Sequence, residues 1–154
     1  MKKLISITFA ALTMLTAACG PQAYVEVDTA AEGSFTVADP APAVRAFQDG
    51  VFVVLAEEQG EELALVTVEL AELSNLEVGE TVDIAEAGIG IEASRGDLEV
   101  IERSDGARIV NSQNTRSFPA VGGTFTLDSL DPLAGTFDVE LEDGGMLSGT
   151  FVAR

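Results

Sequence analysis

The chain holds no histidine, no tryptophan, one tyrosine and one cysteine. Its only lysines are Lys2 and Lys3. Each absence removes some chemistry. Without histidine there is no Ser-His-Asp or Cys-His pair and no imidazole ligand for zinc. A single cysteine cannot close a disulfide within the chain, so packing alone must hold the core. With no lysine beyond residue 3, a Gly-rich phosphate loop ending in lysine is excluded. Few flat aromatic platforms remain for stacking sugars. Long apolar runs are scarce as well. Leu4 to Leu15 is nearly all apolar, but a comfortable membrane span needs ~20 residues. No later segment approaches that length without charges, so no transmembrane helix is expected.

The N-terminus is the most informative stretch. Lys2 and Lys3 precede the apolar run, and the small residues Thr16, Ala17 and Ala18 follow it. Charge, a short apolar core and a small-residue cleavage site make a secretory signal peptide over residues 1–18. Next comes Cys19. Leu15-Thr16-Ala17-Ala18-Cys19 resembles the lipobox of bacterial lipoproteins, with Thr16 at the position three before the cysteine where that family usually has leucine. The resemblance implies a diacylglyceryl group on the Cys19 thiol, cleavage before it, and an N-acyl chain on the new amino terminus. The alternative is an ordinary signal peptide cut at the same bond. That would leave an exported protein with one unpaired thiol, an unusual thing to keep. Two or three acyl chains at ~0.8 kcal/mol per buried methylene anchor a protein stably, where one chain does not. Gly20 stands where an Asp would resemble an inner-membrane retention signal. The resemblance therefore implies the outer membrane, facing either the periplasm or the cell surface.

Past residue 18 the chain carries six arginines against all 26 acids, a net charge of −20. That density opposes binding to nucleic acid, which needs basic surface to displace counterions. It also opposes direct contact with anionic headgroups, so lipid must do the anchoring. A solvated, self-repelling surface explains the acidity, as does adaptation to salty surroundings. Divalent cation binding is the third reading.

The remaining residues suit one domain. The expected division is a lipid-anchored tether over 19–32 and a single β-domain over 33–154. Tyr24 to Asp28 also reads as a first strand in place of tether. Asp39-Pro40-Ala41-Pro42-Ala43 breaks structure with its prolines. Val51 to Leu55 is a short β-branched run, the pattern of a strand buried on both faces or central in a sheet. Glu57 to Glu61 is an acidic turn, and Leu63 to Leu70 would pair back onto the first run. Leu73 and Leu76 admit a short helical turn that Gly79 could close. Thr81–Ile84, Ile89–Ala93, Leu98–Glu102 and Ala107–Val110 are short strand candidates, with Gly96-Asp97 and Asp105-Gly106 as turns. Asn111 to Ala120 is polar and reads as a long loop ended by Phe118-Pro119.

The C-terminal third is clearest. Gly-Thr-Phe recurs at 123–125, 135–137 and 149–151, with Gly-Ser-Phe at 33–35. Phe137, Val139 and Leu141 alternate with Asp138, Glu140 and Glu142, the pattern of a half-buried antiparallel strand. Placing Phe137 opposite Phe151 predicts a three-residue loop, Asp143-Gly144-Gly145, with Gly145 left-handed. A two-residue Asp-Gly turn would move every side chain to the wrong face. This "GTFDVELEDGGMLSGTF" ending resembles those of uncharacterised small β-rich bacterial lipoproteins, which implies a fold and no activity. The expected class is all-β: an antiparallel β-sandwich or partly open β-barrel with, at most, one short helical turn.

Chemistry must then come from carboxylates. Paired acids serve glycoside hydrolysis, but with 26 acids such pairs arise by chance. For Ca2+, the hard-oxygen candidates are Asp128 and Asp131, in Asp128-Ser129-Leu130-Asp131, and Asp143 before Gly144. Neither stretch has the spacing of an EF-hand loop. Arg95-Gly96-Asp97 spells an adhesion tripeptide and reads more simply as a turn. The sequence therefore favours a lipid-anchored, non-enzymatic envelope domain whose partners are the membrane and other envelope proteins. A binding module for Ca2+ or a small ligand stands second, and a carboxylate-based hydrolase third.

Overall fold

The computed structural model describes residues 22–47 and 50–153. The signal peptide and Cys19 lie outside them. Within them are ten strands: β1 (Ala23–Thr29), β2 (Gly33–Asp39), β3 (Ala43–Phe47), β4 (Gly50–Gln59), β5 (Glu62–Leu70), β6 (Thr81–Asp83), β7 (Ile89–Glu102), β8 (Arg108–Leu130), β9 (Leu133–Leu141) and β10 (Met146–Ala153). A 3-10 turn covers Leu73–Asn75, where the leucine spacing suggested a helical turn. All pairings are antiparallel. They form one sheet in the order β2-β1-β10-β9-β8-β7-β5-β4-β3, with β6 beside β8.

Period-two patterning drives most of these strands. In β1, Ala23, Val25, Val27 and Thr29 are buried while Tyr24, Glu26 and Asp28 are exposed. The strand reading of Tyr24–Asp28 is therefore the one realised. Residues 23–29, placed in the tether by the other reading, sit inside the sheet between β2 and β10. In β9, Leu133, Gly135, Phe137, Val139 and Leu141 face inward. Phe125, Phe137 and Phe151 are each 2% exposed or less. Burying a side chain of that size contributes roughly 1.5–3 kcal/mol.

The sheet is open in its backbone ladder, yet its two edges meet. β2 and β3 lie at opposite ends of the strand order, but only residues 40–42 separate them. Four residue steps reach about 14 Å at full extension. A flat sheet of nine strands would hold its edges roughly 38 Å apart. The sheet must curl until β2 faces β4, which it does beside residues 56–59. β3 then continues along the same edge of β4, pairing Ala43 with Val54 and Phe47 with Gly50. Pro40 and Pro42 make the bend between the two.

β8 is the second long bend. Its first half pairs with β7 up to Pro119, and its second half pairs with β9 from Ala120. The register shifts between Ala120 and Gly122. Gly123 has φ +118, and a Cβ there would stand 2.4 Å from the Asp138 carbonyl oxygen. The polar stretch Asn111–Ala120, expected as a loop, is strand. Residues 98–112 of β7 and β8 form a two-stranded ribbon that runs beyond the last β5 partner, Asp97. Its arms match the strands expected at Leu98–Glu102 and Ala107–Val110; only Asn111 and Ser112 of it fall in the stretch expected as loop.

Arg95-Gly96-Asp97 is likewise not a turn. Ile89–Ala93 and Leu98–Glu102, expected as two strands, are one strand, β7, with a bulge between Arg95 and Asp97. A Cβ on Gly96 would stand 2.3 Å from the Ser112 hydroxyl oxygen, so only glycine lets β8 approach here.

The last hairpin keeps the expected three-residue loop but shifts it. Phe137 pairs with Gly149, and Phe151 pairs with Gly135. The loop is Glu142-Asp143-Gly144, and Gly144, not Gly145, is left-handed, with φ +84. A two-residue slip keeps every side chain on its face, so alternation cannot distinguish the two registers. Ring volume can. Each phenylalanine lies opposite a glycine, and a Cβ on Gly135 would meet the Phe125 ring at 2.7 Å and the Phe151 ring at 3.0 Å. The repeated Gly-Thr-Phe thus sets a gap and a filler two residues apart, and antiparallel pairing interlocks them.

Candidate functional site

The polar residues that matter lie in phase with the apolar core. On β2, Asp39 continues the buried series Phe35, Val37. On β4, Glu57 and Gln59 continue Val53, Leu55; on β5, Glu62 continues Leu70, Val68, Val66, Ala64. Each marks where the apolar filling of the curled sheet stops.

Asp39 closes the seam between the sheet's edges. It is 8% exposed. Its Oδ1 accepts the Ala41 N–H at 2.8 Å and its Oδ2 accepts the Ala56 N–H at 2.8 Å. The first bond fixes the bend after β2 and the second reaches across to β4. Glu57 answers from the other side, accepting the Ala38 N–H at 2.9 Å. The Gln59 amide donates to the Thr36 carbonyl at 2.5 Å and to Glu57 at 3.0 Å. Side chains here substitute for a backbone ladder and satisfy edge groups that would otherwise be left unpaired.

A charged cluster caps one end of the interior. Arg95 on β7 lies opposite Arg116 on β8, a like-charge pair that needs compensation. Glu62 supplies it, 2.5 Å from Arg95 and 2.9 Å from Arg116. Glu32, in the turn between β1 and β2, stands 3.0 Å from the Arg116 Nε. The Arg95 guanidinium lies 5.4 Å from the centroid of the buried Phe35 ring, within cation–π range. Two arginines and two glutamates neutralise one another, and the cluster ties the β1–β2 turn, β5, β7 and β8 together. It contains no nucleophile. Every carboxylate in it is engaged by a guanidinium, so the arrangement locks strands together.

The sequence-derived candidates fall elsewhere. Cys19 lies outside the described residues. The Asp128 carboxylate accepts the Thr136 hydroxyl at 2.7 Å on the surface. Asp131 sits in the two-residue turn between β8 and β9. Asp143 accepts the Gly145 N–H at 2.9 Å and the Ala31 N–H at 3.2 Å, tying the β9–β10 loop to the β1–β2 turn. Asp128 and Asp131 are near one end of β9 and Asp143 is past the other, about 26 Å along a nine-residue strand. The three are not brought together. Among the described residues, no group of three or more His, Cys, Asp or Glu is placed to hold a metal ion.

Asp39, Glu62, Arg95 and Arg116 were not singled out for these roles from sequence. One signal was available: a charged residue at the inward parity of an otherwise apolar strand, as Glu62 is to Ala64 and Val66. No protein-family model, curated protein or solved structure matches this chain.

Proposed function

We propose that this protein is a lipid-anchored domain of the bacterial cell envelope, held in the outer membrane through Cys19, with a structural or protein-interaction role and no enzymatic activity. The observation that carries the reading is the placement of the lone cysteine directly after a basic, apolar and small-residue leader. A thiol kept there serves best as an attachment point. The fold fits a non-catalytic role. Its polar side chains close a seam and cap a core, and its inward positions are filled mainly by Val, Leu and Phe. The β7–β8 ribbon supplies a surface for recognition. Past Leu98, whose N–H donates to the Glu61 carbonyl at 2.7 Å, neither of its outer edges has a ladder partner among the described residues, and Val100 and Ile101 are exposed on it. Free edges of this kind accept an extended segment of another protein.

The test is incorporation of radiolabelled palmitate in growing cells. The wild-type chain is expected to take up label and Cys19→Ser to take up none. Label on the Cys19→Ser form would overturn the reading. A calcium titration of the form beginning at Gly20 addresses the second reading; binding heat with a rise in melting temperature would favour a cation module instead.

A further inference from the structure

We infer that one end of the curled sheet rests directly on the lipid surface, which fixes how the protein stands on its membrane. The inference depends on the anchor at Cys19 proposed above. Its own evidence is where the chain leaves the fold and what surrounds that point.

Gln22 is pinned at this end. Its N–H donates to the Asp39 carbonyl at 2.9 Å, and its carbonyl accepts the Val152 N–H at 2.7 Å. Cys19 is three residues earlier, no more than roughly 10 Å of extended chain. A thioether-linked lipid on so short a lead must hold this end of the domain at the bilayer. The same end carries a shallow groove of about 560 Å³, lined by Val44, Leu130, Asp131, Pro132, Leu133 and Ala153. Ala153 adjoins the residue bonded to Gln22. Leu130 is 53% exposed and Val44 37% exposed. Tyr24, 47% exposed, lies on the outer wall two residues past Gln22. A ring with an apolar body and a polar tip suits the headgroup boundary.

Acids stand at both ends: Asp128 and Asp131 at the groove end, and Glu61, Asp97, Glu142 and Asp143 at the opposite one. The short lead to the lipid, with the apolar Val44, Leu130, Pro132 and Leu133 beside it, is what selects the groove end. The β7–β8 ribbon then projects away from the membrane, where a partner can reach it.

The lipidated full chain has its native thiol blocked, so a single introduced cysteine can be labelled uniquely. Leu130→Cys and Glu142→Cys would each carry a nitroxide, on protein reconstituted into phosphatidylethanolamine–phosphatidylglycerol vesicles and recovered in the vesicle pellet. At position 130 the label is expected to show raised collision with oxygen and reduced collision with a water-soluble nickel chelate. At position 142 it is expected to remain water-accessible. A vesicle-bound protein whose label at 130 is as open to the chelate as that at 142 overturns the orientation and leaves the anchor standing. Protein absent from the pellet overturns both, with the anchor at fault.

Discussion

Asp39 gives the sharpest test of how the sheet closes. Its two carboxylate oxygens each hold one backbone N–H at 2.8 Å, Ala41 in the bend and Ala56 on the facing strand. Hydrogen bonds to a charged acceptor contribute about 1.5–3 kcal/mol each, and a buried donor left without a partner carries a further penalty. Asp39→Ala removes both bonds and fills nothing, so a loss of about 3–5 kcal/mol is expected. Asp39→Asn keeps one acceptor oxygen and should lose about half as much. Against a typical total of roughly 5–15 kcal/mol, the alanine variant would be marginal. Urea denaturation of the form beginning at Gly20, followed by far-UV circular dichroism, measures both changes. An unchanged slope with a shifted midpoint would show lost stability in an intact fold. A shift below about 1 kcal/mol for Asp39→Ala would refute the idea that this carboxylate latches the two edges.

Other consequences are equally direct. Gly135→Ala places a methyl 2.7 Å from the Phe125 ring and 3.0 Å from the Phe151 ring, an overpacking expected to cost about 1–3 kcal/mol. Combining it with Phe151→Leu should recover part of the loss, and strict additivity in a double-mutant cycle would contradict the interlock. Glu62→Ala strips Arg95 of its carboxylate and leaves Glu32 alone to offset the two facing arginines, whereas Arg95→Met leaves Glu62 paired with Arg116. Thermal melts should rank Glu62→Ala as the more damaging, by about 1 kcal/mol given the partial exposure of the cluster; the reverse order would contradict the capping role. Amide hydrogen exchange should be fastest in residues 98–112 and slowest in β1, β9 and β10. Protection of the ribbon equal to that of β9 would show that it is not a free projecting element.

Much of this fold was legible where one face of a strand is wet and the other dry. β9 and β10 declare themselves through Phe137-Val139-Leu141 against Asp138-Glu140, and β1 through Val25 and Val27 against Glu26 and Asp28. Alternation fixes a residue's face but leaves register open to two-residue slips. The Gly135–Phe151 and Phe137–Gly149 pairs therefore needed an argument from volume. The polar start of Asn111–Ala120 was missed for the opposite reason: Asn111 to Thr115 have water on both sides, and strand and loop then look alike in sequence. Gly96 was misread because glycine before aspartate marks a turn as readily as a bulge, and only the closeness of Ser112 decides between them. The latch and the ion-pair cap were hidden in plain periodicity. Asp39 and Glu62 hold inward positions, but their partners on other strands lie 17 to 54 residues away in sequence, and local reading does not reach them.

The most direct test of the account is the intact mass of the protein extracted from membranes. The protein is expected to begin at Cys19 and to be heavier than its amino-acid sequence by a diacylglyceryl group and one further acyl chain, both released with the N-terminal fragment on proteolysis. A chain that begins at Cys19 with its thiol free, or one that retains residues 1–18, would contradict it.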